Sequence, residues 1–250
     1  MIVIKTSREL SAMRAAGRIA ARALKVAGEA VEPGVSTWEI DRIARRYIEE
    51  QGAVPTFLGY GGFPASACIS VNHVVVHGIP SKSQIIKQGD IVSIDIGATF
   101  DGYVGDNAYT FPCGDVSAQA KALMDATRES LYEGIKAAQA GARIGDIGSA
   151  VQRYAEARGY SVVRTFVGHG VGAKMHEDPS VPNYGTPGRG VRLLPGMTIA
   201  IEPMINQGVK EVKTLADGWT TVTADGKLSA HFEHSIAITP DGPVILTSPD

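Results

Sequence analysis

Ile91-Val92-Ser93-Ile94-Asp95-Ile96-Gly97-Ala98-Thr99-Phe100-Asp101-Gly102-Tyr103-Val104-Gly105-Asp106-Asn107-Ala108-Tyr109-Thr110-Phe111 reads as one β-hairpin. The run to Phe100 is strand-like, and Asp101-Gly102 is a two-residue turn signal. That turn sets Phe100 opposite Tyr103 and Gly97 opposite Asp106. Asp95 then lies two residues along from the partner of Asp106, on the same face. Diagonal neighbours of this kind have α-carbons about 7–8 Å apart. Two carboxylates held there repel each other unless a cation sits between them, and burying them bare in an apolar strand is costly. The pair points to metal, and to two ions if they follow the ~3.5–4 Å spacing of paired-ion hydrolases. Ordinary turn and edge aspartates are the competing reading, which the rest of the chain weakens.

The chain has 250 residues and a net charge of −2. No basic stripe suggests nucleic acid. No apolar run reaches the ~18 residues of a spanning helix. Met1 to Leu10 lacks the apolar core of a signal peptide. The two cysteines, Cys68 and Cys113, form neither a CxxC motif nor a disulfide framework. These features predict a cytoplasmic protein with reduced thiols, one domain over residues 1–250, and no membrane or nucleic-acid partner. We expect a monomer.

A fixed offset of 107 residues runs through the chain. Gly34, Ile40, Arg46, Tyr47, Glu49 and Gly52 recur as Gly141, Ile147, Arg153, Tyr154, Glu156 and Gly159. Leu24 and Ala30 recur as Leu131 and Ala137. The same offset carries Gly89 onto Gly196 and Asp95 onto Glu202. In both halves a glycine opens an apolar strand that ends in a carboxylate. Each half reads helix, helix, strands, giving pseudo-repeats of approximately 7–112 and 117–240. Thr6 with Glu9 and Ser36 with Glu39 are candidate capping boxes for the first two helices. Ser117 to Ala140 and Ile144 to Arg158 repeat the pattern. Facing halves would bring Asp95 and Glu202 together near a pseudo-twofold axis.

Other polar residues could join them. Ser229 to Ile238 reads as one strand, with His231, Glu233 and Ser235 on one face and Phe232, His234 and Ile236 on the other. His169 sits between Gly168 and Gly170, where close backbone approach frees the imidazole to project, although a lone histidine in such a turn is more often structural. An imidazole would complete a mixed nitrogen and oxygen set suited to Mn, Fe, Co or Zn. His77 follows Val74-Val75-Val76, and His176 precedes Glu177-Asp178-Pro179. Either could be idle, or could hydrogen-bond a reacting carbonyl. His73, His231 and His234 are read as non-catalytic.

Taken in order, Asn72-His73-Val74-Val75-Val76-His77-Gly78-Ile79-Pro80, Asp95 with Asp106, Gly168-His169-Gly170-Val171-Gly172, Ile201-Glu202-Pro203-Met204 and Phe232-Glu233-His234 resemble type I methionine aminopeptidase, of peptidase family M24, in its bacterial form. The resemblance covers nearly the whole chain. It implies an α/β (α+β) "pita-bread" fold, pseudo-twofold, with an antiparallel sheet core and two helices per half on the outside. It implies five metal ligands: Asp95, Asp106, His169, Glu202 and Glu233. Asp106 and Glu233 would bridge two divalent ions (Co, Mn, Fe, Zn or Ni), with His169 and Glu202 completing one shell and Asp95 the other. It implies His77 and His176 as catalytic histidines and Glu202 as general base for a bridging hydroxide that attacks the first peptide carbonyl. His176 would contact the carbonyl oxygen and His77 the amide nitrogen. Tyr60, Phe63, Cys68 and Trp219 match the methionine pocket, with Phe57 and Met175 near it. Gly61 stands where some relatives carry a side chain that narrows access.

The implied activity is removal of initiator methionine from nascent polypeptide N-termini when the second residue is small, which makes the ribosome a candidate partner. Two further readings stay open. One is an X-Pro dipeptidase of the same fold, against which the Tyr60–Cys68 segment counts. The other is a metal-free relative that only binds partners, against which the complete ligand set counts. The chain's own start, Met1-Ile2, generates a prediction. A bulky Ile2 should be rejected past the scissile bond, so intact mass should show Met1 retained; its wholesale loss would contradict that specificity.

Overall fold

The first helix, α1, spans Ser7–Glu29 and opens at Thr6. The Thr6 hydroxyl accepts from the Glu9 N–H, while the Thr6 N–H donates to the Glu9 carboxylate. Ser36 and Glu39 make the same reciprocal pair at the start of α2, Thr37–Glu50. Both anticipated boxes satisfy donors that a helix start leaves open. Ser117 caps α3, Ala118–Ala137, and α4 follows at Ile144–Glu156. These elements belong to a computed structural model describing residues 1–250.

The hairpin forms in the expected register. Ile91–Phe100 pairs with Tyr103–Pro112, with Phe100 opposite Tyr103 and Gly97 opposite Asp106. Asp101 and Gly102 take φ of 49° and 76°, the left-handed conformations that such a turn requires. The hairpin lies within a nine-stranded sheet. Across it run Val54–Pro55, Ile91–Phe100, Tyr103–Pro112, Glu233–Thr239, Thr198–Ile201, Gly168–Gly170 and Glu177–Val181, every pairing antiparallel.

Period-two alternation then sorts the side chains. Val92, Ile94 and Ile96 pack with Ala20, Leu24, Ile40 and Ile48 of α1 and α2. Ile199, Ile201 and Ile236 pack with Leu123, Leu131 and Ile147 of α3 and α4. Asp95 faces the other way, and Glu202 directly follows Ile201.

The duplication is visible in the backbone. Gly34 and Gly141 have φ of 94° and 91°, and Gly52 and Gly159 of 71° and 81°. Gly89 and Gly196 have 89° and 88°. The isolated bridge Ser36–Ile85 has its counterpart in Arg143–Arg192. The Gly34 N–H donates to the Ile86 carbonyl, and the Gly141 N–H to that of Leu193. In the sheet, an axis between Tyr103–Pro112 and Glu233–Thr239 relates the two inner strands, and relates Ile91–Phe100 to Thr198–Ile201 outside them.

The halves differ at the turn that joins their central strands. Asp101-Gly102 joins the first strand pair directly, whereas residues 203–232 join the second. That excursion contributes Met204–Asn206, Val212–Thr214, Thr221–Thr223 and Ser229–His231. With Ser161–Val162 and Val74–Val76 these form two three-stranded sheets. The single strand expected from Ser229 to Ile238 is therefore divided. Phe232 leaves the ladder to donate its N–H to the Pro203 carbonyl, placing His231 in one sheet and Glu233 in another.

Close backbone contact seats α1 on the sheet. A Cβ on Gly105 would lie 2.4 Å from Gly17 Cα, and one on Gly17 would lie 2.3 Å from the Leu246 carbonyl oxygen. Backbone cannot swing aside as a flexible side chain does. Gly17→Ala and Gly105→Ala should each cost about 1–3 kcal/mol, read as a lower urea midpoint. Unchanged midpoints in both would show that this contact has slack.

Candidate metal centre and adjoining pocket

Sheet register assembles the carboxylates. Asp95 and Glu233 both lie opposite Ala108, one from each neighbouring strand. Asp106 is two residues along from Ala108 and so shares its face. His234 opposite Ile201 brings Glu202 level with Glu233. The backbone around them is pinned. Asn183 donates its side-chain amide to the Glu202 carbonyl at 2.9 Å, and the Ser235 hydroxyl donates to the Asp106 carbonyl at 2.7 Å.

His169 comes from the short strand Gly168–Gly170. A Cβ on Gly168 would lie 2.3 Å from the Ala200 carbonyl oxygen, and one on Gly170 would lie 2.2 Å from that of Asp178. Only glycine on both sides lets this strand sit so close to its neighbours. His169 Nδ1 is 2.8 Å from the Gly170 carbonyl, which can only accept, so Nδ1 carries the proton. When the ring is neutral, as a metal ligand must be, Nε2 is the nitrogen left with a free lone pair. It lies 3.4 Å from Asp106 Oδ2 and 3.5 Å from Glu202 Oε1.

Ligand-type atoms of Asp106, His169 and Glu233 all fall within 4.8 Å of one another. Asp95 Oδ1, Asp106 Oδ1 and Glu233 Oε1 are sealed from solvent with no hydrogen-bond partner. Burial, then the charges of Asp106 and Glu202, push Asp95 well above the usual carboxylate range. Burial, then Asp106, Glu202 and Asp95, do the same to Glu233. Burial raises Glu202 to about 8, against the pull of His169. Burial alone would lower His169. The hydrogen bond to Asp106 and the charges of Glu202 and Asp106 outweigh it and bring His169 to about 9. The protein alone thus meets its excess of negative charge with protons and an imidazolium. A divalent cation fits this donor set of carboxylate oxygens and one imidazole nitrogen, and it would give the orphaned oxygens a partner.

The cluster forms one end of a cavity of about 230 Å³. Phe57, Phe63, Cys68, Met175 and Trp219 line the apolar remainder, with Tyr60 and Gly61 beside them. Phe63 meets Trp219 edge-on, with ring centroids 5.1 Å apart. Gly61, at φ 57°, presents its α-carbon to Trp219, where a Cβ would come within 3.4 Å of the indole. A larger residue here would press on that wall. His77 and His176 line the same cavity. Burial lowers His77, and burial with the nearby His169 charge lowers His176 to about 4, so both are neutral at neutral pH.

Every site residue expected from the sequence lines this one space. His73 is exposed in a turn, and His234 bonds Thr247 at 2.9 Å on the opposite face. Val76, Phe166 and Val167 also line the cavity and were not singled out from the sequence, and Phe166 meets His77 edge-on at 5.2 Å. The place of Val76 just before His77, and of Phe166 and Val167 just before Gly168-His169-Gly170, was the available signal. His231, read as non-catalytic, comes from the separate sheet and puts Nε2 3.8 Å from Glu202 Oε2. Alternation had set it on the Glu233 face; its place in a different sheet follows from the break at Phe232, a tertiary event.

Comparison with known proteins agrees with this geometry. A family model described as metallopeptidase family M24 matches residues 11–240. Methionine aminopeptidase 1 of Bacillus subtilis (strain 168) is 55% identical over 247 residues, covering 99% of both chains. The crystal structure of methionine aminopeptidase from Thermotoga maritima superposes with a TM-score of 0.98 at 46% identity, covering 99% of this chain and 100% of that one. The prolidase of Pyrococcus horikoshii, at 24% identity and a TM-score of 0.80, covers all of this chain and 65% of its own, and shares the fold. The architecture is the pseudo-twofold pita-bread fold, and with a match across most of its length the chain belongs to metallopeptidase family M24.

Proposed function

We propose that this chain is a metal-dependent aminopeptidase that removes the N-terminal methionine of nascent polypeptides when the second residue is small. One observation carries the reading. The buried carboxylate cluster and an apolar pocket of side-chain size share a single cavity. A long, unbranched, polarisable thioether suits that pocket, and its aromatic and sulfur-bearing walls suit the thioether. Full-length identity to methionine aminopeptidases supports the same substrate.

Asp95, Asp106, His169, Glu202 and Glu233 would hold two divalent ions, Co, Mn, Fe, Zn or Ni. Bound there, the ions supply Lewis acidity toward the scissile carbonyl and acidify a water. The protein supplies the rest. Phe63, Cys68 and Trp219 seat the methionine side chain. Glu202 takes the proton of the attacking water, a role its place beside the other ligand carboxylates permits. His176 donates to the carbonyl oxygen as negative charge develops, and His77 lies against the amide nitrogen. The working unit is one catalytic domain of residues 1–250, two pseudo-repeats of approximately 7–112 and 117–240, acting as a monomer in the cytoplasm near the ribosome. No helix is long and apolar enough to cross a membrane.

Two predictions follow from this assignment. Metal-stripped protein should release no methionine from Met-Ala-Ser until Mn²⁺ or Co²⁺ is added, and little from Met-Leu-Ser thereafter. Folded protein inactive with every metal would refute the activity. The second concerns stability without metal. Glu202 titrates near 8 when folded against 4.5 ordinarily, Asp95 and Glu233 shift the same way, and His169 rises from 6.5 to about 9. Burial lowers His77, His176, His231 and His234 below 6.5, which works the other way at acid pH, so the cluster shows alone only above about 6.5. From there to about 9 the folded chain holds more protons than the unfolded one, and stability falls as pH rises. Thermal melts of metal-free protein should show this decline above neutral pH, and added Mn²⁺ should raise the midpoint more at the alkaline end of that window than at its start. A metal-free midpoint that climbs through the same window would show that the cluster does not carry this strain.

A further inference from the structure

Tyr60 sits at the tip of a tight loop, and its side chain does more than line the pocket. Gly59, Gly61 and Gly62 all take positive φ, at 82°, 57° and 90°. The loop closes on itself: the Gly59 N–H donates to the Phe63 carbonyl at 2.8 Å, and the Phe63 N–H returns a bond to Tyr60 at 2.9 Å. This fold-back carries the phenol across the cavity mouth, where Tyr60 Oη lies 2.7 Å from His176 Nδ1. The two rings are tilted at 33° with centroids 5.4 Å apart, so the contact is made end-on through the polar atoms rather than by stacking.

The partners differ in what they offer. A phenol is a good donor and a weak acceptor, because its lone pairs are drawn into the ring. An imidazole nitrogen without a proton is a strong acceptor. The bond therefore runs from Tyr60 O–H to His176 Nδ1, and the histidine proton resides on Nε2. Each neutral histidine has two tautomers, and the group bonded to one nitrogen sets the chemistry of the other. With Nδ1 unprotonated, Nε2 can donate to an oxygen. With Nδ1 protonated, Nε2 could only accept. His77, the other histidine facing the pocket, has ring contacts with Phe166 at 5.2 Å and Trp219 at 6.1 Å and no hydrogen-bond partner of the kind Tyr60 gives His176. The two histidines are thus unequal in how firmly their protons are placed.

We propose that Tyr60 is a positioning residue for the reaction: its hydroxyl fixes His176 in the Nε2–H tautomer, so that His176 meets the scissile carbonyl as a donor. This rests on the role given to His176 above. It also assigns the loop a task separate from enclosing the methionine side chain.

Tyr60→Phe removes the hydroxyl and keeps the wall, and Tyr60→Leu removes both. In metal-free protein, ¹H–¹⁵N correlation of the imidazole rings, with His176 assigned by its loss in His176→Gln, should show the Nε2–H pattern in the parent and a mixture in Tyr60→Phe. With Co²⁺ or Mn²⁺ and Met-Ala-Ser, Tyr60→Phe should lower kcat about tenfold, the rate equivalent of losing one neutral hydrogen bond, with KM within about twofold. Tyr60→Leu should raise KM as well. An Nδ1–H pattern in the parent overturns the proposal, as does a Tyr60→Phe variant with unchanged tautomer or unchanged kcat. A parent that releases no methionine refutes the activity itself, and the resonance measurement still judges the hydrogen bond.

Discussion

Buried carboxylate oxygens with nothing to bond are the constraint on which this molecule turns. Asp95, Asp106 and Glu233 each keep such an oxygen away from water. Bare charges there would repel one another and lack hydration, so the isolated protein resorts to protons and a charged His169. The scaffold tolerates this because it cannot relax. Each carboxylate stands on a strand locked by its neighbours, and the backbone beneath Asp106 and Glu202 is held by Ser235 and Asn183. Stability is given up at the centre to preserve a fixed set of donors, and the two cores under the helix pairs offset that loss.

The second device is glycine, used where two backbones must meet. At Gly168 and Gly170 it brings the His169 strand against its neighbours, and at Gly17 and Gly105 it sets α1 down on the hairpin. In both places a methyl group would separate elements whose spacing fixes the position of a site residue. The same economy accounts for Gly61, which leaves the pocket mouth open beside Trp219.

Local chemistry explains what could be read beforehand. The hairpin register followed from Asp101-Gly102 alone, because a two-residue turn leaves no other pairing. The capping boxes at Thr6 and Ser36 need only neighbours three residues away. The offset repeat was legible because positive-φ glycines admit few replacements, and Gly34, Gly52 and Gly89 keep their conformations in the second half. Hairpin alternation paired Asp95 with Asp106 and the offset repeat brought in Glu202, whereas His169 and Glu233 joined the proposed ligands through the ordered motifs. What escaped depends on distant partners. His231 and Glu233 alternate correctly in sequence, yet Phe232 bonds to Pro203 and sends them into different sheets. The reach of Tyr60 to His176 spans 116 positions and leaves no local signature.

The unequal turns have a consequence of their own. A doubled scaffold with identical halves would look the same after rotation about its axis, and an extended chain laid across it could run either way with equal energy. Replacing one two-residue turn by residues 203–232 removes that degeneracy. Trp219 and His231 belong to the excursion: Trp219 lines the pocket, and His231 Nε2 lies 3.8 Å from Glu202 Oε2, and neither has a counterpart in the short first turn. The lengthened turn therefore gives the site a sense of direction. It lets a symmetric frame distinguish the start of a polypeptide from its continuation.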